Sequence, residues 1–372
     1  MTPERGRRNG RAERIGPTGE VVMTAETSPA PAQRIAWIDV ARGIAITLVV
    51  FHHSIQFLDA TGWQVDALVQ VTAMLSTFRM PLFFLVSGLL ASSAIARSSF
   101  ASLFWKRLAL LVYLYALWCV IWWAWFLFVP RPFDPQTSPV GDLATAIYLP
   151  WSGLWFLYAL ILYTVAAWAL RRLPRLAQLG LAFAVACLFA TGIVTVSSSY
   201  TWRSVGTYFA LFMTGVVCRQ LVEAYARRVT VWWLLGSGAV LAAGTVALPS
   251  LPLQGVFRVA LCVVGAAFGV SIAVMLARSS VVRRAVGALG SRTLPIYVLN
   301  SLLLALAVAL LPVELLPGWL ATVLLTAVVI TLALVIRRAV GSVSGIFTLP
   351  APVQRFAARR LQTDRLETER SR

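Results

Sequence analysis

The sequence predicts an all-α, polytopic membrane protein with about ten transmembrane helices and both termini in the cytoplasm. Three observations support this fold class. Hydrophobic residues make up 59% of the 372 positions and charged residues only 12%, about half the charged share of soluble domains. Apolar runs of about 20 residues, long enough to cross a bilayer, recur along the chain. Positive charge is concentrated in alternate connecting segments, as the positive-inside rule requires.

Ten apolar segments are the predicted spans. They are residues 36–57, 68–94, 108–129, 152–170, 176–196, 204–218, 231–249, 257–277, 289–311 and 319–336. Of the 32 Lys and Arg residues, 27 lie in the two tails and the connecting segments on one side, and three lie on the other side. Because cytoplasmic segments carry the excess of positive charge, both termini are predicted to be cytoplasmic. The predicted location is the cytoplasmic membrane, as a multi-pass protein.

Three segments organise the chain. Residues 1–34 are polar and rich in Arg, without the apolar core of a signal peptide, and predict a disordered cytoplasmic tail. Residues 35–337 form the predicted ten-helix membrane domain, and residues 338–372 form a basic cytoplasmic tail. The net charge of +18 is explained by this topology and by anionic lipid at the inner surface, so no nucleic-acid partner is expected. The four cysteines fall in different spans without a paired motif, so no metal site is predicted.

The first span contains an unusual polar set within DVARGIAITLVVFHH, residues 39–53. His52 and His53 are the only two histidines of the chain. Arg42 and His53 are eleven residues apart, so they share nearly the same helix face and lie about 16 Å apart along the axis. Ionisable residues inside a span are costly and are functional candidates by default. The alternatives are snorkelling of Arg42 to the inner surface and a helix–helix hydrogen bond for His53.

We expect different roles for the two neighbours of this pair, His52 and Asp39. His52 points away from the line that Arg42 and His53 share, so a structural role against a neighbouring helix or lipid is favoured. We therefore expect substitution of His52 to be mild. Asp39 lies one turn before Arg42, at the cytoplasmic mouth, and can pair with it at the i,i+3 spacing.

No carboxylate is predicted well inside a span, which leaves open what orients His53. Asp59 and Asp66 lie in an outer connecting segment and would have to fold back to reach it. A hydroxyl or an amide, such as that of Asn300, is the alternative. The lack of intramembrane acids also argues against a proton pump built on carboxylates.

The second span contains FRMPLFFLVSGLL, residues 78–90. Arg79 is expected near the middle of the membrane, where it must face a polar cavity or a partner. Ser87 and Gly88 allow a close approach between helices, and packing alone is sufficient to explain them.

Eight tryptophans map to the predicted outer ends of spans, and Trp155 is the candidate for a binding role among them. An aromatic belt at the membrane surface is the favoured interpretation. The alternative is stacking on a sugar ring at the outer face.

The motifs together resemble those of the acyltransferase-3 family, integral-membrane O-acyltransferases that modify cell-envelope glycans and related acceptors. WIDVARGIAITLVVFHH fits the family's pattern of Arg, ten residues and His, with Arg42 and His53 in those places. The other motifs are FRMPLFFLVSGLL, FWKRLALLVY, LWFLYALILY and LPIYVLN, and all five lie between about residues 35 and 300. The motifs FRMPLFFLVSGLL and LWFLYALILY resemble those of the fucose acetylase-like branch. Asn300 stands where related sequences often have histidine.

The resemblance implies transfer of an acyl group, with acetyl from acetyl-CoA as the first expectation, to a hydroxyl of an envelope glycan or lipid-linked acceptor. Acyl-CoA would be a co-substrate, with no bound cofactor. His53 is then expected to be the general base. Arg79 is expected to stabilise the oxyanion or hold the donor. The pantetheine arm is expected to pass Arg42.

Donor binding is expected at the cytoplasmic face. Lys106 and Arg107 begin the third span and offer phosphate contacts, with Asp39 at the same mouth. Ordinary positive-inside anchoring explains the two basic residues equally well.

Two other function classes fit a protein with many spans. A transporter or flippase would also place charges in the membrane, but such proteins often show inverted repeats and paired broken helices, which the sequence lacks. A non-enzymatic sensor or assembly partner would not require Arg42 and His53 together.

Overall fold

The structure, a computed structural model, describes residues 36–130, 132, 143–150, 153–196, 200–312 and 316–370, with side chains up to residue 362. The described residues form helices and no β-strand, which confirms the all-α, polytopic membrane fold. The tail predicted for residues 1–34 lies outside the described residues.

The helices are numbered in chain order. They are α1 (Ala36–Ala60), α2 (Asp66–Met74), α3 (Ser76–Arg97), α4 (Phe100–Trp125), α5 (Trp155–Leu170), α6 (Arg175–Thr191), α7 (Tyr200–Val217), α8 (Arg219–Arg228), α9 (Val231–Ala247), α10 (Gln254–Ala277), α11 (Ser280–Gly290), α12 (Thr293–Leu310), α13 (Gly318–Val340) and α14 (Ala351–Arg370).

Nine of the ten predicted spans each overlap one apolar helix and the second overlaps two, and the helices differ in length. Within the described residues, seven are long and apolar enough to cross a membrane: α1, α3, α4, α9, α10, α12 and α13. Helices α7 and α8 meet at a bend of 82° and would add one more span if they are counted together. Helices α5 and α6 are apolar but have only 16 and 17 residues. A total of ten spans therefore stays a prediction, as does the side on which the termini lie.

The second predicted span, residues 68–94, is broken between α2 and α3. The hydroxyls of Ser76 and Thr77 donate to the carbonyls of Ala73 and Met74, and such local bonds compete with helix continuation. Arg79 was expected near the middle of the membrane within one continuous span, and its depth in the membrane stays a prediction. Arg79 belongs to the first turn of α3, beside the break, and not to the interior of a continuous helix.

Helices α3 and α7 pack at backbone distance, which fixes the position of α3. A Cβ atom added at Gly88 would lie 2.1 Å from the Phe212 carbonyl oxygen, and one added at Gly215 would lie 2.2 Å from that of Leu85. Any side chain at either glycine would push the two helices apart. The packing interpretation of Gly88 is confirmed, and this contact anchors the helix that carries Arg79.

The folded body extends past residue 337, where the sequence predicts a cytoplasmic tail. Helix α13 continues to Val340, and the chain then packs on α4. The Trp118 indole donates to the Ile346 carbonyl at 3.2 Å, and the Phe347 ring stacks on the Trp118 ring with centroids 5.7 Å apart. The segment after α13 is therefore part of the packed domain.

Reporter fusions test the predicted topology. A periplasmic reporter fused at Thr137 is expected to be active, and the same reporter fused after Arg372 is expected to be inactive, because the basic segments lie on the cytoplasmic side. A cytoplasmic reporter at the same two points should give the reverse pattern. An active periplasmic reporter after Arg372 would contradict an inner C-terminus.

Candidate active site

One cavity collects four of the nine predicted site residues. It has a volume of about 350 Å³, and its lining includes His52, His53, Arg79 and Trp155. The rest of the wall is strongly aromatic. Its aromatic members are Phe57, Phe83, Trp122, Phe126, Phe156, Tyr200, Tyr208 and Tyr297. The cavity thus combines two imidazoles and a guanidinium with flat apolar surfaces.

His53 is held by a polar chain on α12. Its Nδ1 atom lies 3.3 Å from the Ser301 hydroxyl, which donates to the Asn300 side-chain oxygen at 3.2 Å. The Asn300 amide nitrogen donates in turn to the Tyr297 carbonyl. Asn300 is completely buried, so this chain has a fixed geometry. The polar groups beside His53 are thus a hydroxyl and an amide, while Asp59 and Asp66 are exposed.

His52 is oriented by α2. Its Nδ1 atom lies 2.9 Å from the Thr72 hydroxyl, and the two imidazole centroids lie 5.6 Å apart. The sequence placed His52 against a neighbouring helix or lipid. The first half of that prediction holds, but the ring also lines the cavity with His53. The two rings point along different lines of α1, to Thr72 and to Ser301, and both border this cavity.

Arg79 is a buried cation at the cavity wall, with 5% of its surface exposed. Its Nη1 atom donates to the Thr72 hydroxyl at 3.1 Å, and its Nε atom has no hydrogen-bond partner among the described residues. A buried arginine is normally paired or aimed at a polar cavity. Arg79 is therefore disposed to meet negative charge on a molecule in the cavity.

Arg42 lies outside the cavity, although it shares the helix face of His53. It donates to the Thr293 hydroxyl at 2.8 Å, and its Nη1 atom lies 3.8 Å from an Asp39 oxygen. Thr293 and Ser301 both belong to α12, so Arg42 and His53 face the same helix from α1. The structure does not bring Arg42 and His53 into one pocket.

Lys106 and Arg107 lie on a separate part of the molecule. They belong to a π-helical turn of α4, Phe104–Leu108, a feature frequent at functional sites. Lys106 is exposed, whereas Arg107 donates to the Leu90 carbonyl of α3 at 2.9 Å. Arg107 is also within electrostatic range of Arg42. These basic groups form a positive region away from the histidines.

Comparison with known proteins assigns the chain to a family. A family model described as an acyltransferase domain matches residues 35–338. The chain belongs to the acyltransferase-3 family. A curated relative, Nodulation protein NolL of Mesorhizobium japonicum, is 30% identical over 189 residues, which cover 49% of this chain. The aligned part spans only 50% of NolL. No solved structure matches the chain.

Three residues of this candidate site were not identified from the sequence. Thr72 and Ser301 hold the two histidines, and Gly153 leaves room for Trp122, since a Cβ there would lie 1.9 Å from the indole ring. Thr72 and Arg79 are seven residues apart, or two helical turns, and this spacing was a usable signal. Nothing in the sequence indicated a site role for Ser301 beyond its position next to Asn300.

Proposed function

We propose that this protein is a membrane O-acyltransferase that moves an acyl group, acetyl in the simplest case, from acyl-CoA to a hydroxyl of an envelope glycan. Membership of the acyltransferase-3 family supports the reaction class. The observation that carries the proposal is the hydrogen bonding of His53, which leaves one ring nitrogen able to accept a proton inside an aromatic cavity.

We infer the position of the proton on His53 from its hydrogen-bond chain. The Asn300 amide nitrogen donates to a carbonyl, so its oxygen is turned towards Ser301 and can only accept. The single Ser301 proton is used for that bond, and its oxygen accepts from His53 Nδ1–H. In a neutral imidazole the other nitrogen is then unprotonated. Nε2 is therefore the proton acceptor.

The transfer step follows from this assignment. The acceptor hydroxyl oxygen attacks the thioester carbonyl carbon, a C–O bond forms, and the hydroxyl proton passes to His53 Nε2. Negative charge develops on the carbonyl oxygen, and Arg79 is the cation that the described residues supply at the cavity wall. The intermediate collapses with cleavage of the C–S bond. The CoA sulfur leaves as a thiolate and takes the proton back from His53, which regenerates the neutral ring.

The aromatic wall supports a sugar as the acceptor. Trp155 is partly exposed in the cavity and packs beside Phe84 and Tyr208. A flat indole covers the apolar face of a pyranose ring while leaving its hydroxyls free at the edge. Trp118 and Trp122 are buried within the protein and not spread at a membrane surface, so an aromatic belt does not account for them.

The donor is proposed to bind on the opposite, basic side. Arg42 lies about 16 Å from His53 along α1, a distance that an extended pantetheine arm is able to cross. Asp39 holds Arg42, and Arg107 lies close to it. Lys106 is exposed beside them and is free to meet a phosphate group.

Replacing both Lys106 and Arg107 with Gln is expected to weaken CoA binding and make it less dependent on salt, because two phosphate contacts are lost. Calorimetry of CoA binding at two salt concentrations measures this. The matched control is replacement of Arg227 and Arg228, which removes the same charge from α8. Equal affinity in both folded variants would leave Lys106 and Arg107 with only an anchoring role.

The proposed function is tested with purified protein in nanodiscs, radiolabelled acetyl-CoA and a panel of simple glycosides. We expect release of the CoA thiol together with label in the glycoside fraction, and no release by a His53→Gln variant. A transporter would instead exchange labelled glycoside across sealed vesicles without consuming acetyl-CoA, and that result would overturn the proposal.

A further inference from the structure

We propose that the two histidines of the cavity are held in opposite tautomers and that His52 is a second catalytic residue. In this proposal, His52 Nε2–H donates a hydrogen bond to the acyl carbonyl oxygen while His53 Nε2 takes the acceptor's proton. The inference rests on the proposed acyl transfer. It makes His52 a hydrogen-bond donor to the substrate, whereas its neighbour His53 accepts a proton.

The proton on His52 is assigned by the groups around Thr72. The Arg79 guanidinium can only donate, so the Thr72 oxygen accepts from it at 3.1 Å. Thr72 is 3% exposed, and a buried hydroxyl proton needs an acceptor of its own. His52 Nδ1, 2.9 Å away, fills that need. With Nδ1 accepting, the proton of the neutral ring is on Nε2.

The arrangement at His53 is the reverse. There the Ser301 proton is directed to Asn300, so Nδ1 is the donor and Nε2 is unprotonated. Both Nδ1 atoms are hydrogen-bonded to side chains of neighbouring helices. The Nε2 atoms are therefore the ones left to meet a molecule in the cavity, one as a donor and one as an acceptor.

Acyl transfer requires this pair of functions in one place. The attacking hydroxyl must lose a proton, and the carbonyl oxygen must be stabilised as charge develops on it. Two rings with centroids 5.6 Å apart are close enough to serve a nucleophile and the carbonyl it attacks. In the two hydrogen bonds of this chain, Arg79 donates to Thr72 and Thr72 donates to His52, so both point the same way. Such aligned chains polarise each member and strengthen the last donor.

A purely structural His52 makes different predictions. Its role would be to hold α1 against α2 through Thr72, and the position of its proton would not matter to turnover. Turnover per folded molecule would then be the same with alanine and with glutamine at this position. Loss of His52 would reduce turnover only in proportion to the protein that fails to fold.

Paired substitutions separate the two roles. His52→Ala is expected to lower kcat by about 10²–10³-fold with KM for acetyl-CoA near wild type, as for loss of one oxyanion donor. His52→Gln should recover to within about tenfold of wild type, since the glutamine amide donates from a similar distance. At His53, glutamine should be as inactive as alanine, because an amide does not accept the proton.

The tautomers are measurable without any substrate. Because the chain has two histidines, protein labelled with ¹⁵N-histidine gives two imidazole signal pairs in solid-state NMR. We expect one ring protonated on Nδ1 and one on Nε2, and the His53→Gln variant should retain only the second. Thr72→Val should change the His52 signals and lower kcat, while Thr72→Ser should keep both at wild-type values.

The outcomes distinguish this inference from the proposed function. Two rings in the same tautomer, or a His52→Gln variant as slow as folded His52→Ala, would overturn the donor role. Normal turnover by His53→Gln would overturn the proposed function, whatever the tautomers are. Should His52→Ala fail to fold, the spectrum of the wild-type protein and the Thr72 pair still decide the question.

Discussion

His53→Ala is expected to lower kcat by about 10²–10⁴-fold, the contribution of a positioned general base. CoA binding should stay near wild type, because the basic residues proposed for the donor lie outside the cavity. Thermal stability should also change little, since the lost bond to Ser301 is long, at 3.3 Å, and the ring is partly exposed. Turnover, CoA affinity and melting temperature of the same preparation measure the three effects.

A matched control for His53→Ala lies on the same helix. Thr47 bonds only the backbone of its own helix and lies outside the cavity, so Thr47→Ala should keep normal turnover. Both variants need the same nanodisc preparation and size-exclusion profile. Equal turnover in the two variants would remove His53 from the chemistry, and the mechanism would have to be built on another group.

The sequence was sufficient for features that depend on local periodicity. Arg42 and His53 were assigned to one helix face from their spacing alone, and both contact α12 in the structure. The apolar helices were also found from local pattern. A membrane span forms its backbone hydrogen bonds within its own helix, so it corresponds to one continuous apolar stretch of sequence. Gly88 was recognised as a close-packing position because small residues allow helices in membranes to approach.

The features that were not predicted from the sequence depend on which other helix packs against a given helix face. His52 points along a different line of α1 from His53, but α2 folds over that line and supplies Thr72. The fold of α2 depends on the break before Ser76, which is a competition between local hydroxyl bonds and helix continuation. Neither the partner nor the break is encoded in the spacing of apolar residues, so the cavity lined by both histidines required the tertiary structure.

Arg79→Met is expected to separate activity from stability. Removing the guanidinium that the described residues contribute to the cavity wall should lower kcat by about 10²–10³-fold, as for loss of one preorganised group at a developing oxyanion. It also removes the donor to Thr72, so the orientation of the His52 proton is lost with it. Arg79→Lys should fall between methionine and wild type, because it keeps the charge but not the fork of donors.

The melting temperature of Arg79→Met should equal or exceed that of the wild-type protein. An arginine within a span costs about 2.5–3.5 kcal/mol on insertion scales, and the Nε atom of Arg79 lacks a hydrogen-bond partner in the described structure. Methionine fills a similar volume without that cost. The control is Arg258→Met: Arg258 donates to the Ser76 hydroxyl at 3.2 Å but does not line the cavity, so its loss should spare turnover. If Arg79→Met instead melts far below wild type, and its activity falls only with the folded fraction, Arg79 is a structural residue and the cavity lacks its proposed cationic catalyst.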